Sequence, residues 1–242
     1  MTARWLEEAL EASCLKASST FPRNLAAEVS LRLPVTVVCL PRLTSDSIRD
    51  WLAQRNWHHR VVDLPRGLHG CMVAEKGVGI LFHDSLDTPN QQRFTLAHEV
   101  AHFVLDHLLP RARALRVFGE AIRPVLNGSR APTPEESVSA LFERVPLGVQ
   151  VKLMDRGPSG SFRTGRVAEA ERRADRLAQE LLAPSALVIP LLKDVSADEA
   201  VDRVVFKFGL PREEARTYVQ QLLRRQRAPR FSLQRLLGED GR

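Results

Sequence analysis

Apolar positions recur at helical spacing over residues 3–17 (Trp5, Leu6, Ala9, Leu10, Leu15), and Asn24–Leu33 predicts a second short helix. The pattern then changes. Val35-Thr-Val-Val-Cys-Leu40 is rich in β-branched residues and bounded by Pro34 and Pro41, which predicts a strand. Ser45–Gln54 predicts a helix capped by Ser45 or Asp46. Two apolar runs, Cys71–Glu75 and Val78–His83, flank Lys76-Gly77 and predict a hairpin. Asp84–Asn90 is a turn and helix entry.

From Asn90 to Leu109 runs a helix that is apolar on nearly every side, closed by Pro110. Residues 110–165 are poorly patterned, with Pro124, Pro132, Pro134, Pro146 and Pro158 interleaved with glycines. They offer only a short helix at Glu135–Arg144 and a loop at Arg156–Arg166. A second long helix spans Val167–Leu182 and stops before Pro184. Ala197–Phe208 and Arg212–Arg225 are two more helical patterns, separated by Phe208-Gly-Leu-Pro211 and followed by a basic tail.

The first long helix contains Phe94-Thr-Leu-Ala-His98-Glu99-Val-Ala-His102. Residues four apart share a helix face, so two imidazoles there can converge on one metal ion. Glu99 lies beside that face and reaches a metal-activated water as a general base. Buried imidazoles and a buried carboxylate are costly unless paired or metal-bound; the bland alternative is two histidines satisfied by backbone groups.

A catalytic zinc site usually takes three protein ligands and keeps one position open. The third-histidine pattern HExxHxxGxxH fails here, because residues 105 and 108 are both Leu. Asp106 and His107 point around the helix from His102 and are weak ligand candidates. The second long helix offers Glu171 and Asp175 at the edge of an apolar stripe of Ala174, Leu177, Ala178, Leu181 and Leu182. One carboxylate could reach the metal and another could accept the outer N–H of a ligand histidine, the gluzincin arrangement. The alternative is a surface pair balancing Arg172, Arg173 and Arg176.

Composition narrows the field without choosing within it. The 242 residues, 44% hydrophobic and 26% charged, describe an ordinary globular chain. Three scattered cysteines make no disulfide framework and suit a reducing compartment. The N-terminus lacks a signal-peptide pattern, and no apolar run is long enough to span a bilayer. A cytoplasmic, non-membrane protein is expected. The net charge of +6 could attract nucleic acid or acidic proteins, but an Arg bias can also follow coding-DNA composition.

The stretch Gln92–Leu105 with its upstream hairpin resembles the ImmA/IrrE family of metallopeptidases. That family pairs an RFT-x-AHE-x-x-H helix with a downstream E-x-x-A-[ND]-x-[FL]-A-x-x-LL-x-P helix, matched here by Glu171 to Pro184. The resemblance spans roughly residues 20–110 and 165–225. It implies an α+β, zincin-like fold: a small mixed β-sheet, the HExxH helix, a second ligand-bearing helix and a C-terminal helical subdomain. It implies one Zn2+ per chain held by His98, His102 and Glu171, with Glu99 as base and Asp175, where the family often has Asn, behind the ligands. His83 and His107 are candidates for an oxyanion or substrate contact, and Val78–His83 for a strand that aligns an extended substrate.

Residues 1–184 are expected to form the peptidase domain, with 110–165 an insertion longer than the family's usual connection. Residues 185–242 form the helical remainder. The implied partner is a protein substrate, a helix-turn-helix transcriptional repressor whose cleavage would release stress-response or mobile-element genes. Two competing readings remain: a DNA-binding regulator using the 197–225 helix pair and basic C-terminal region for a weak nucleic-acid contact, or a toxin–antitoxin interaction module with an inactive metal site. Glu213 and Glu214 at the start of the would-be recognition helix count against the first.

Overall fold

A computed structural model describes residues 4–57, 61, 63, 67–137, 150–155 and 165–227. Among the described residues four strands form one mixed sheet: β1 (Val35–Leu40), β2 (Leu68–Glu75), β3 (Val78–Asp84) and β4 (Gln150–Asp155), in the order β1-β3-β2-β4. β1 and β3 are parallel, and β2 runs antiparallel to both β3 and β4. The expected β2–β3 hairpin forms across Lys76 and Gly77, both at positive φ (54° and 91°), as a two-residue hairpin turn requires.

The helices are α1 (Arg4–Ser13), α2 (Leu25–Arg32), α3 (Ser45–Ala53), α4 (Pro89–His102), α5 (Leu109–Phe118), α6 (Arg123–Leu126), α7 (134–137), α8 (Gly165–Leu182), α9 (Ser185–Val188), α10 (Ala197–Phe208) and α11 (Arg212–Arg227). The architecture is α+β, as the resemblance implies. No helix among the described residues is long and apolar enough to cross a membrane.

The sheet is covered on both faces, which explains why β2 and β3 read as nearly continuous apolar runs. Met72, Ala74 and Leu81 face the larger core, shared with α1, α2, α4, α8, α10 and α11. Cys71, Val73, Ile80 and Phe82 face a second core with Ile48 and Leu52 of α3, where Trp51 packs edge-on against Phe82.

Several expectations need correction. The cap of α3 is Thr44, which exchanges hydrogen bonds with Ser47 in a capping box; Ser45 and Asp46 are already in the helix. Pro110 does not end the long apolar helix. A wider π-helical segment (Phe103–Leu108) follows α4, and Leu109 N–H bonds to Val104 O. Pro110 thereby falls in the first turn of α5, where its missing N–H costs little. β3 cannot align a substrate strand, because β1 and β2 occupy both its edges. The edge beyond β2 is instead filled by β4, a strand hidden among the prolines and glycines of 110–165. The expected helix at 135–144 falls largely outside the described residues, as do loop residues 156–164 and the basic tail from 228.

The C-terminal helix pair forms as its periodicity predicts, with Gly209 at φ 67° closing α10. Its apolar side enters the larger core through Val201, Val204, Phe208, Ala215, Tyr218, Val219 and Leu222. The turn between the helices is tied to α4, since Arg93 donates to Gly209 O (3.0 Å) and Asn90 to Leu210 O (3.3 Å).

Candidate metal centre

α4 is a buried helix pressed onto the sheet, and two glycines make the approach possible. A Cβ on Gly79 would lie 2.7 Å from the Phe103 ring, and one on Gly70 would lie 2.5 Å from Thr95 Cγ2 and 2.7 Å from Glu99 Oε1. Glu99 therefore rests against the backbone of β2, almost fully buried. Thr88 caps the helix by accepting the Gln91 N–H, and Pro89 opens it.

α8 packs across α4 through the predicted stripe, with Ala174, Leu177, Ala178, Leu181 and Leu182 all buried. The small side chains at 174 and 178 let the helices close up. His98 and His102 then turn their Nε2 atoms to within 3.1 Å of one another. Glu171 Oε2 lies 3.3 Å from each. Among the described residues these three are the group of donor side chains close enough to share a metal ion.

The triangle fits such an ion. The edge of a tetrahedron is about 1.63 times its centre-to-corner distance, so metal–ligand bonds of about 2.0–2.1 Å call for edges of about 3.3–3.4 Å. The observed edges of 3.1, 3.3 and 3.3 Å lie close to that face.

Each histidine is also held from behind. His98 Nδ1 donates to Asp175 Oδ1 at 2.9 Å, and His102 Nδ1 donates to Asp106 Oδ2 at 2.8 Å. A carboxylate can only accept, so the Nδ1 proton is fixed and the Nε2 lone pair is the one offered to a metal. Asp175 on α8 is thus the acceptor behind His98. Asp106 had looked only like a weak ligand; it is a supporting acceptor, and its i+4 spacing from His102 was the signal for that role.

The cluster is strongly anionic, and the histidines respond. Burial disfavours a charged His98 ring, but the hydrogen bonds it donates to Asp175 and Glu171 outweigh this and push the pKa up to about 10. Burial opposes the same rise at His102, where Asp106 and Glu171 prevail. Burial would raise Glu171, yet His102 and His98 hold it well below the usual carboxylate range. The field that retains these protons also suits a divalent cation.

The remaining candidates lie apart from this triangle. His83, at the end of β3, is half-buried with Nδ1 3.6 Å from Cys39 Sγ, and burial lowers its pKa. His107 accepts the Gly77 N–H at the hairpin turn (3.0 Å) and packs on Phe103, so it braces the hairpin. One acidic residue not assigned to the site approaches it: Glu214, in the first turn of α11, is pushed up to about 7 by burial, with the charge of Asp175 adding to the rise.

Residues 54–125, which hold the β2–β3 hairpin and all of α4, match the Peptidase_M78 family, described as the IrrE N-terminal-like domain. No curated protein matches the chain. The matched segment carries His98, Glu99 and His102, while Glu171 arrives from outside it on α8. Over residues 54–125 the chain is thus similar to the IrrE N-terminal-like domain of a peptidase family.

Proposed function

We propose that the chain is a zinc-dependent endopeptidase in which His98, His102 and Glu171 hold one zinc ion and Glu99 is the catalytic base. The observation that carries this reading is the near-equilateral donor triangle, each imidazole fixed through Nδ1 by its own carboxylate. Two imidazole nitrogens and one carboxylate oxygen form the three-ligand set of a catalytic zinc site, whereas calcium and magnesium prefer all-oxygen shells. When bound, the ion would supply a Lewis acid that acidifies water and polarises a scissile carbonyl.

Glu99 takes the proton of the attacking water and returns it to the leaving amine nitrogen. Its burial against Gly70 keeps bulk water away and fixes its carboxylate beside the His98–His102 face. Asp175 and Asp106 act as positioning residues: they hold the two rings in one tautomer and orientation.

The substrate we infer is a protein, specifically a helix-turn-helix transcriptional repressor, with relief of repression as the outcome; the family resemblance supports this. A cytoplasmic setting is supported by three unpaired cysteines. The test is to incubate the purified chain with the repressor encoded beside it, with and without a chelator, alongside metal analysis. Zinc-dependent loss of the repressor band is expected, and Glu99→Gln should keep the metal and lose cleavage. Cleavage that survives either treatment would refute the assignment.

A further inference from the structure

The zinc, Glu99 and the two anchored histidines leave one requirement of peptide hydrolysis unmet, namely a protein group that donates to the oxyanion of the tetrahedral intermediate. An unassigned histidine stands close by. His69, on β2, donates from Nδ1 to Asp87 Oδ2 at 2.7 Å. Asp87 is nearly buried and lies in the connection that enters α4, where Gln92 Nε2 also holds its backbone carbonyl (2.7 Å). The His69 ring is 24% exposed and makes no other hydrogen bond among the described residues. A carboxylate on Nδ1 leaves Nε2 as the outward nitrogen.

The strand geometry explains why this residue belongs to the site. Leu68 and Gly70 are two apart and would share a face in a regular strand. They do not: Leu68 is buried in the α3-side core, while Gly70 faces Thr95 and Glu99 of α4. The register against β4 slips between them, so His69 is the extra residue of a β-bulge. Such a bulge bends the strand and re-aims a side chain, and bulges are frequent beside active sites. His69 is bonded directly to Gly70. Since a Cβ on Gly70 would sit 2.7 Å from Glu99 Oε1, adding a bond and one Cα–Cα step puts the His69 Cα within about 8 Å of that oxygen.

We propose that His69, oriented by Asp87, is a catalytic residue that acts as an imidazolium, its charge balanced by the Asp87 carboxylate, and donates a hydrogen bond from Nε2 to the substrate oxyanion. No bond to His69 forms or breaks; it stabilises charge that develops on the carbonyl oxygen, with Asp87 as its positioning residue. This assignment rests on the hydrolase reading above. It adds to it a residue that neither the HExxH pattern nor the ligand triangle contains.

The test compares wild type with His69→Ala, His69→Gln and Asp87→Asn, each loaded with zinc. The first readout is the affinity of a peptide phosphinate, whose anionic oxygens mimic the tetrahedral intermediate. The second is kcat and KM on unfolded casein. Zinc content should stay at one ion per chain in every variant. Phosphinate affinity and kcat should both fall by about 10²-fold in His69→Ala with KM little changed, the size expected for one oxyanion donor. His69→Gln, which keeps an N–H donor, should recover part of the loss, and Asp87→Asn should show a smaller one.

A zinc-loaded His69→Ala that binds the phosphinate as tightly as wild type overturns the assignment while leaving the hydrolase reading intact. Should His69→Ala fail to fold, His69→Gln and Asp87→Asn carry the test, and wild-type phosphinate affinity in both overturns it. A wild-type chain that takes up no zinc overturns the hydrolase reading itself. One that takes up zinc but does not bind the phosphinate overturns the role of His69 as well.

Discussion

The closeness of Gly70 to Glu99 makes one substitution pair unusually informative. In Gly70→Ala the new methyl would meet Thr95 Cγ2 at 2.5 Å, Glu99 Oε1 at 2.7 Å and Glu99 Cγ at 3.1 Å. Ordinary contact begins near 3.4 Å, so the carboxylate oxygen must retreat by 3.4 minus 2.7, or 0.7 Å. Overpacking of this kind costs about 1–3 kcal/mol. At roughly 2–4 °C per kcal/mol for a chain of this size, the melting temperature should fall by about 2–12 °C. A displacement approaching 1 Å at a catalytic group can cost about 10²-fold, so turnover should fall by roughly ten- to a hundredfold. Gly79→Ala is the control. Its methyl would meet Phe103 Cδ2 at 2.7 Å and Cε2 at 2.9 Å, an equal clash one strand away that touches no proposed catalytic atom. Both variants should therefore lose similar stability in thermal melts and keep zinc, but only Gly70→Ala should lose casein turnover beyond a few-fold. Equal activity losses in the two, or full activity in Gly70→Ala, would refute the placement of Glu99 as the working base.

Three other outcomes follow from the same geometry. Asp175→Ala and Asp106→Ala should each weaken zinc binding about 10–100-fold in a competition titration with a chelating dye, because the acceptor behind His98 or His102 is lost. Glu214, pushed up to about 7 mainly by burial, is protonated in the folded metal-free chain at pH values where the unfolded chain has already ionised it. Between its ordinary value of 4.5 and about 7 the folded state binds more protons, so stability falls as pH rises through that window. Chemical denaturation of the metal-free protein should show a pH slope there that Glu214→Gln removes. Glu99→Gln should hold zinc as wild type does, since Glu99 is outside the ligand triangle.

The parts of the chain legible in sequence share a strong periodicity or a dense motif. α4 and α8 could be placed because two small residues at helical spacing marked the face where the helices meet, and the resemblance is what singled out Glu171 there. What escaped was set by interactions that leave little local trace. β4 depends on pairing with the edge of β2, and its Val151 and Leu153 are too short a signal among flanking glycines and prolines. The continuation of the helix past Pro110 depends on a wider turn that shifts the hydrogen-bond ladder by one residue, which proline counting does not reveal. His69 precedes the apolar run Cys71–Glu75, and the bulge that re-aims it is visible only once the partner strand is in place.

The tertiary arrangement of α10 and α11 bears on what the smallest active unit can be. Both metal-bearing helices lean on this pair. Arg93 and Asn90 anchor the start of α4 to the α10–α11 turn. On the other flank, the Tyr218 hydroxyl donates to Ala183 O at 2.9 Å and lies 3.3 Å from Glu180, at the end of α8 away from Glu171. Arg176, itself buried, pairs with Glu180 and lies over the Tyr218 ring. Removing the pair would take Tyr218 away from Arg176, Glu180 and Ala183 and loosen the hold on α8 relative to α4. Since Glu171 reaches the histidines only through that helix contact, a shift of about 1 Å between α4 and α8 would open two edges of the ligand triangle at once. The metal geometry is therefore a property of the whole helical layer, and the HExxH segment alone does not determine it.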